Sequence, residues 1–294
     1  MRLKTCFLWL VMFFTKISEA ATLVVLDVGE GQAVLLKDGE DAILVDTGHA
    51  GAAPAVLESL AKYDITALKA IVLTHLHPDH TSGWFRVHEA FPKTPTFYSG
   101  HRVPPLALDD VSRWVFDAIT SDSNYREIKM GDSLSVGRCT VDIIWPKDPS
   151  GLNLNANSMV LAVTCGDATA LLMADANADV ERTLLQKGKV SENVGILVVG
   201  HHGASDATSM EFLAKTRPKY SVISVNKNNI RGYPADTTIK SLEELGSTIF
   251  RTDHHGEICF QMGEGDLKIP CLHIKELQRA SDHVHLPVSH FPEK

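Results

Sequence analysis

Short apolar runs bounded by glycine and acidic residues recur along the chain from residue 21 onward. Runs of this length, rich in Val, Ile and Leu, are typical of buried strands. They lie at 22–26, 33–36, 42–45, 70–73, 158–163, 169–173, 194–199, 220–225 and 247–250. Helices are predicted at 54–63, 179–186 and 237–245, the first from apolar positions with helical spacing. Strands mixed with helices favour an α/β fold in which two packed sheets are covered by helices.

The stretch from about 90 to 131 breaks this pattern because it is polar and irregular. We expect a loop-and-helix insertion there rather than a second domain. Of the 294 residues, 44% are hydrophobic and 22% are charged. These fractions are ordinary for a folded soluble protein, and the length allows a substantial core.

The first residues of the chain have the layout of a cleaved secretory signal. Arg2 and Lys4 precede an apolar run at 7–14, and small residues at 18 and 20 stand just before Ala21. The run is far shorter than the ~20 residues that span a bilayer, so no stable membrane anchor is expected. The alternative is an N-terminal helix of the mature fold. We therefore predict a signal over 1–20, a folded domain over 21–270 and a tail over 271–294. The protein would be exported and either periplasmic or secreted.

The cysteines could form disulfides if the chain is exported. Cys6 would leave with the signal, and Cys139, Cys165, Cys259 and Cys271 would remain. Four cysteines allow three complete pairings, and the sequence does not choose among them. None forms a C-x-x-C pair, which argues against a zinc or redox motif of that kind. We expect Cys139 and Cys165 to be buried free thiols in strands.

The densest group of metal-binding side chains follows the apolar run at 70–73. His75, His77, Asp79 and His80 fall within six residues there. Neutral imidazole and carboxylate are good ligands for zinc and similar divalent ions. In an extended segment His75 and His77 point to the same side and can reach one ion, whereas Asp79 and His80 begin the next turn and can reach a second. Two close ions suit hydrolysis because they activate a water and stabilise developing charge.

This spacing resembles the H-x-H-x-D-H signature of the metallo-β-lactamase superfamily, whose members share a four-layer αββα sandwich. Further segments resemble, in the same order, the hydrolase-like domain of ComEC-type DNA-uptake proteins. They are 26–33, 44–48, 155–158, the strand end at Asp175, 200–205 and 251–256. The resemblance covers about 21 to 261, and it implies a hydrolase domain of that four-layer α/β fold over 21–270.

The resemblance also implies roles for residues outside the motif. Asp175 corresponds to the carboxylate that bridges the two metals. His201 corresponds to the late histidine of the second metal, although His202 could hold that role or orient the ligand instead. Asp46 corresponds to the buried acid beneath the metal ligands. Asp253, in the last matching segment, is expected near the ligands or the substrate.

Two departures from the family pattern bear on the metal and the substrate. Most hydrolases of the superfamily have a further histidine where this chain has Asn155, Asn157 and Ser158, as the ComEC-like group does. An amide oxygen is a weaker ligand, so the first metal is expected to be loosely held or to favour manganese over zinc. The ComEC-like pattern usually has a histidine at the position of Tyr233, before Pro234. A tyrosine hydroxyl could contact a substrate oxyanion but cannot carry protons near neutral pH as an imidazole does.

Together these residues predict a metal-dependent hydrolase with two divalent ions, zinc or manganese, and with Asp79 and Tyr233 as catalytic residues. The resemblance favours a phosphodiesterase or nuclease, so the partner would be a phosphoester, with nucleic acid as one candidate. The net charge of -8 argues against gripping nucleic acid by charge alone, yet bound metals would supply local positive charge. The alternatives are a lactone or lactam hydrolase of the same fold and a non-catalytic exported metal-binding protein. The oligomeric state is left open.

Overall fold

The computed structural model describes residues 20–100, 108–149, 151 and 153–269. Apart from Ala20, the predicted signal over 1–20 and the predicted tail over 271–294 lie outside the described residues. The expected cleavage and the bounds of the domain therefore stay predictions.

Fourteen strands form two seven-stranded sheets in the described part of the chain. The strands are β1 Ala21–Val25, β2 Val34–Asp38, β3 Asp41–Val45, β4 Ala70–Val72, β5 Thr96–Tyr98, β6 Tyr125–Glu127, β7 Ser133–Val136, β8 Cys139–Trp145, β9 Val160–Cys165, β10 Ala168–Leu172, β11 Ile196–Val198, β12 Tyr220–Ile223, β13 Thr248–Arg251 and β14 Ile258–Met262. The first sheet has the order β14-β1-β2-β3-β4-β5-β6, and the second has the order β13-β12-β11-β10-β9-β8-β7.

The helices lie between these strands in sequence. The α-helices are α1 Ala53–Lys62, α2 Pro78–Thr81, α3 Trp84–Ala90, α4 Asp110–Ser121, α5 Ala178–Gln186, α6 Met210–Thr216, α7 Asp236–Glu244 and α8 Thr252–His255. Short 3₁₀ turns lie at Ala50–Ala52, Asn155–Asn157 and Gly200–Gly203. Within the described ranges, no helix has the length and apolar character needed to cross a bilayer.

Three hydrophobic clusters lie between successive layers of the structure and pack them together. The cluster between the two sheets contains Ile43 and Val45 of β3, whereas Leu44 of the same strand packs beneath α1, α3 and α4. Successive strand residues point to opposite faces, so a strand that is apolar at every position is buried on both sides. The third cluster joins the second sheet to α5, α6 and α7, for example through Leu197 and Leu184. This order of helices, sheet, sheet and helices confirms the expected four-layer αββα sandwich.

Parallel strands bring polar side chains to one edge of the sandwich. β3 runs parallel to β4, and β10, β11 and β12 run parallel to one another. Ligands in α/β folds bind at the carboxyl ends of such strands. The residues that follow these ends are Asp46 after β3, His75 after β4, Asp175 after β10, His202 after β11 and Ser224 after β12.

The expectation of a loop-and-helix insertion at 90–131 is wrong in part. The segment contains α4, but it also contributes β5 and β6, which pair in parallel with each other and extend the first sheet beyond β4. Each of these strands has three residues, which is too short to show a periodic pattern of apolar positions. Their pairing is decided by the neighbouring strand rather than by the local sequence.

The expectation that Cys139 and Cys165 are free thiols is also wrong. The two residues form a disulfide between β8 and β9, where they face each other with Cα atoms 4.3 Å apart. Cys259 is disulfide-bonded as well. Cysteines 26 positions apart in sequence become neighbours only through the register of two antiparallel strands.

Replacing both cysteines in Cys139→Ala/Cys165→Ala should lower the free energy of unfolding by about 3 kcal/mol, because the bond restricts the unfolded chain. Urea denaturation followed by circular dichroism measures this. The matched control is Thr140→Ala/Thr164→Ala, the exposed pair next to it in the same two strands. Its loss should stay below about 1 kcal/mol. Equal losses for the two double variants would contradict the prediction.

Candidate metal centre

The motif residues are positioned by a change of backbone conformation just after β4. His77 is extended, with φ −61° and ψ 139°, and Pro78 then opens the short helix α2. Proline suits the first helical position because its φ is fixed and it has no N–H to leave unpaired. His75 and His77 therefore precede the helix, while Asp79 and His80 lie on its first turn.

A first group of ligand atoms is formed by His75, His77 and Asp175. His75 Nε2 lies 3.0 Å from His77 Nδ1, and Asp175 Oδ2 lies 3.5 Å from the former atom and 3.8 Å from the latter. His75 and Asp175 are buried, and His77 is partly exposed. Two imidazole nitrogens that face a carboxylate oxygen have the donor chemistry of a divalent-ion site.

A second group is formed by Asp79, His80 and His202, whose ligand atoms all lie within 4.8 Å of one another. His202 Nε2 lies 3.3 Å from His80 Nε2 and 3.5 Å from Asp79 Oδ2. Asp175 Oδ1 lies 3.1 Å from His80 Nε2 and 3.4 Å from His202 Nε2. The two oxygens of Asp175 therefore face different groups, Oδ2 the first and Oδ1 the second.

The carboxylate of Asp175 provides a test of whether a cation fits here. Asp175 Oδ1 is buried and accepts no hydrogen bond from the described residues. A buried carboxylate oxygen in this state is costly unless a positive charge compensates it. Imidazole nitrogens and carboxylates surround it on both sides. The donor set therefore fits a bound divalent cation.

Asp46 holds His80 from behind. Asp46 Oδ2 lies 2.7 Å from His80 Nδ1. The carboxylate also accepts hydrogen bonds from the backbone N–H and the hydroxyl of Thr74, both at 2.8 Å, and from Gln32 Nε2 at 3.3 Å. When Nδ1 donates to Asp46, the free lone pair of His80 is on Nε2, the atom that faces Asp175. Asp46 thus lies buried beneath the motif.

Burial and charge act in opposite directions on the groups of this cluster. Burial, reinforced by the neighbouring His80, lowers the pKa of His75 to about 4. Burial also opposes protonation of His80 and His202, but the nearby carboxylates, Asp175 first, outweigh it and raise the pKa of both. Burial acts to raise the pKa of Asp175 too, yet the histidines hold it well below its usual range. Neutral His75 and ionised Asp175 are the states that bind cations, whereas protonated His80 and His202 would each have to release a proton to bind one.

The two adjacent histidines after β11 have different surroundings. His202 is buried, and its Nδ1 donates to the carbonyl oxygen of Ser224 at 2.9 Å, which leaves Nε2 facing the cluster. His201 contacts Asp206 through Nδ1 at 2.8 Å and Asn155 through Nε2 at 3.2 Å. The structure therefore places His202, and not His201, among the clustered ligand atoms.

The segment that lacks the family's further histidine adjoins the start of the motif. The backbone N–H of Met159 donates to the carbonyl oxygen of Thr74 at 3.0 Å, which brings Ser158 beside this residue. Ser158 Oγ and Asn155 Oδ1 are both buried, and neither has a hydrogen-bond partner in the part of the chain that the structure describes. Two unpartnered oxygens therefore lie in the segment where most superfamily hydrolases supply an imidazole.

Of three other predicted site residues, Tyr233 contacts the cluster, whereas Asp253 and Asn157 are hydrogen-bonded elsewhere. The ring of Tyr233 stacks on His202, with centroids 6.4 Å apart and planes at 25°, and burial raises the pKa of its hydroxyl. Asp253 Oδ2 instead pairs with Arg251 Nη2 at 2.7 Å. Asn157 Nδ2 donates to a backbone carbonyl four residues earlier. Tyr233 thus adjoins the cluster, whereas these contacts hold Asp253 and Asn157 within their own turns.

Two supporting residues, Thr74 and Ser224, were not among the site residues predicted from the sequence. Thr74 binds Asp46 through both its backbone and its hydroxyl, and the Ser224 carbonyl fixes His202. The available signal was a polar residue at the carboxyl end of an apolar run. That signal is weak, because a strand commonly ends at a polar residue whether or not a site is near.

The chain is similar in sequence to known proteins. The chain is 27% identical over 262 residues to "Competence protein ComA" of Neisseria gonorrhoeae and 23% identical over 281 residues to "ComE operon protein 3" of Bacillus subtilis. Each alignment covers 86% of this chain and 34% of the relative. The chain thus spans about a third of the length of these curated relatives, and their names agree with the resemblance to ComEC-type proteins.

The fold and the family are also matched directly. The crystal structure of the metallo-beta-lactamase fold protein YhfI from Bacillus subtilis superposes with a TM-score of 0.52 at 16% identity, covering 79% of this chain and 96% of that one. Residues 26–225, more than half of the chain, match the family described as the metallo-beta-lactamase superfamily. The four-layer sandwich carries its histidines and aspartates at the strand ends, and the chain belongs to the metallo-β-lactamase superfamily.

Proposed function

We propose that this chain is an exported hydrolase of phosphoesters that binds two divalent ions, zinc or manganese. The observation that carries the proposal is the placement of Asp175, whose two oxygens face separate groups of ligand atoms. A carboxylate shared by two neighbouring ions suits an in-line displacement, in which both the attacking and the leaving oxygen need stabilising.

The first ion would be held by His75, His77 and Asp175. Ser158 lies in the segment where most superfamily members have a further histidine, and its unpartnered hydroxyl is available as a weak ligand. A site with two imidazoles, a carboxylate and a hydroxyl is harder than one with three imidazoles. It should therefore hold zinc loosely or favour manganese.

The second ion would be held by Asp79, His80, His202 and Asp175. In this assignment His202 takes the role that the resemblance gave first to His201. Asp46 fixes the His80 ring from behind, as outer partners of metal-binding histidines do.

The ions, when bound, would supply Lewis acidity and an activated water. The chain's own residues would orient the reactants. Burial acts to raise the pKa of Asp79, but a hydrogen bond with His202 and the charge of His80 hold it below its usual range. Ionised Asp79 can therefore accept a hydrogen bond from a water. The Tyr233 hydroxyl stays protonated at neutral pH and can donate to a substrate oxyanion.

A phosphodiester, with nucleic acid as one candidate, is the substrate class that the resemblance to ComEC-type DNA-uptake proteins favours. The names of the relatives, which refer to competence and to the ComE operon, support the same direction. With a net charge of -8, the chain would have to bind such a substrate at the metal centre rather than through a broadly basic surface.

Export is supported by the disulfide between Cys139 and Cys165. Disulfides persist in oxidising compartments and are rare where thiol reductants are abundant. The bond is buried between two strands of the second sheet, where it stabilises the fold. A chain with such a bond is expected to act in an oxidising compartment.

After its metal ions are removed and manganese or zinc is added back, the protein should hydrolyse bis(p-nitrophenyl) phosphate with saturable, metal-dependent kinetics. The absorbance of the released nitrophenolate measures the rate. His75→Ala should lower kcat/KM by more than about 100-fold because it removes a buried ligand. His254→Ala, at an exposed histidine, is the matched control and should stay within about twofold. If the folded wild type shows no turnover with either metal, the phosphodiesterase proposal is wrong. Lactone and lactam hydrolysis and a non-catalytic role would then be tested.

His202→Ala should lose about one of two bound ions per chain, whereas His201→Ala should retain both, because His202 alone of the pair faces the cluster. Metal content after dialysis, measured by inductively coupled plasma mass spectrometry, distinguishes the two. Loss of metal in His201→Ala with full retention in His202→Ala would reverse the assignment.

Ser158→His should raise the affinity of the first site for zinc by about 10- to 100-fold, because it supplies a third imidazole. Competition with a chromophoric chelator measures the change, and circular dichroism checks that the buried site still folds. Ser158→Cys adds a smaller zinc ligand in case the imidazole is too large, and Ser158→Ala is the control without a ligand. Unchanged zinc affinity in both the His and the Cys variant would refute the role given to this position.

A further inference from the structure

An arginine, Arg231, lies on the loop that follows β12, two residues before Tyr233, whose ring stacks on His202 of the second ligand group. Arg231 Nε lies 3.1 Å from Glu30 Oε1. The same side chain neighbours the hydroxyl of Tyr233: burial raises the pKa of this hydroxyl, and the positive charge of Arg231 opposes the rise. Glu30, Arg231 and Tyr233 thus form a chain of neighbouring side chains between two loops that are about 200 positions apart in sequence.

The two ends of this chain of contacts adjoin two different members of the second group, Asp79 and His202. Glu30 is followed by Gly31, where an added Cβ would lie only 1.8 Å from the carbonyl oxygen of Asp79. Gly31 also has a φ of 113°, so a glycine is needed here both for its backbone conformation and for the close approach. At the other end, the ring of Tyr233 stacks on His202. Arg231 therefore connects the loop beside Asp79 with the ring that covers His202.

The loop that carries Arg231 is closed on itself. Asn229 Nδ2 donates to the carbonyl oxygen of Tyr233 at 2.7 Å, and the Tyr233 N–H donates back to Asn229 Oδ1 at 2.8 Å. Just beyond, the N–H of Ala235 donates to the carbonyl oxygen of Gly203, next to His202. Arg231 thus lies between two residues that are bonded to each other, on a loop that is fixed to the metal centre.

The guanidinium retains the capacity to bind an anion. Its five N–H groups form a planar fork, and contacts to one carboxylate and one hydroxyl do not use all of them. The side chain of Arg231 is 51% exposed, so solvent and substrate can reach it. An arginine fork matches the oxygens of a phosphate better than a lysine ammonium does, because it can donate two parallel hydrogen bonds.

We propose that Arg231 binds a non-bridging oxygen of an anionic phosphodiester at the metal centre and thereby gives the site its preference for anionic over neutral esters. This inference rests on the proposed function, in which a phosphoester is the substrate. Tyr233 would donate to the same phosphoryl group from the His202 side, and Glu30 would keep the arginine at the mouth of the site between turnovers.

The kinetic test compares two esters with the same leaving group, anionic bis(p-nitrophenyl) phosphate and neutral diethyl p-nitrophenyl phosphate. Arg231→Ala should lower kcat/KM for the anionic ester by about 10- to 50-fold, mainly through KM, and change the neutral ester by less than about twofold. Arg231→Lys should fall between, because it keeps the charge but loses the fork. Lys227→Ala removes one positive charge from the same loop and should leave both esters unchanged. Equal losses on the two esters in Arg231→Ala would overturn the proposal.

A binding test separates this inference from the proposed activity. Calorimetric titration of the metal-loaded wild type with inorganic phosphate should show saturable binding, which Arg231→Ala weakens by about tenfold and Lys227→Ala leaves unchanged. If the wild type turns over neither ester, the proposed phosphoesterase activity fails, and phosphate binding alone decides the role of Arg231. Absence of phosphate binding, or equal affinity in wild type and Arg231→Ala, would overturn that role.

Discussion

The buried carboxylate of Asp175 is the constraint on which the rest of the centre depends. A carboxylate removed from water is strongly destabilising unless positive charge or hydrogen bonds compensate it. Here one oxygen faces His75 and the other faces His80 and His202. The opposed pKa shifts of Asp175 on one side and of His80 and His202 on the other express this compensation, and the same arrangement would favour a bound cation. Asp46 extends the pattern outward by fixing the ring of His80.

The sandwich makes this burial possible because it brings strand ends from both sheets to one edge. β4 of the first sheet delivers the H-x-H-x-D-H motif, and β10, β11 and β12 of the second deliver Asp175, His202 and the Ser224 carbonyl. Neither sheet holds a complete ligand set. The site therefore exists only when the apolar inner faces of the two sheets are packed together, which couples metal binding to the global fold.

The residues around this shared frame are where the chain departs from the pattern of its family. Ser158 lies in a segment where most superfamily hydrolases have an imidazole, and in the proposed assignment its unpartnered hydroxyl would give the first ion a harder, oxygen-richer set of ligands. Tyr233 covers His202 where ComEC-like sequences usually have a histidine, and it is linked through Arg231 to Glu30. These residues lie on loops, where a fold can change its substrate without disturbing its core.

The sequence by itself determined the central strands and the local group of metal-binding side chains. Apolar runs identified the central strands, and the four motif residues fall within six positions, so backbone geometry alone brings them close. Only the tertiary structure decided between His201 and His202, because neighbours in sequence differ here solely in what surrounds them. It also decided the pairing of Cys139 with Cys165 and the two short edge strands within 90–131, because strand register and pairing depend on contacts between distant segments.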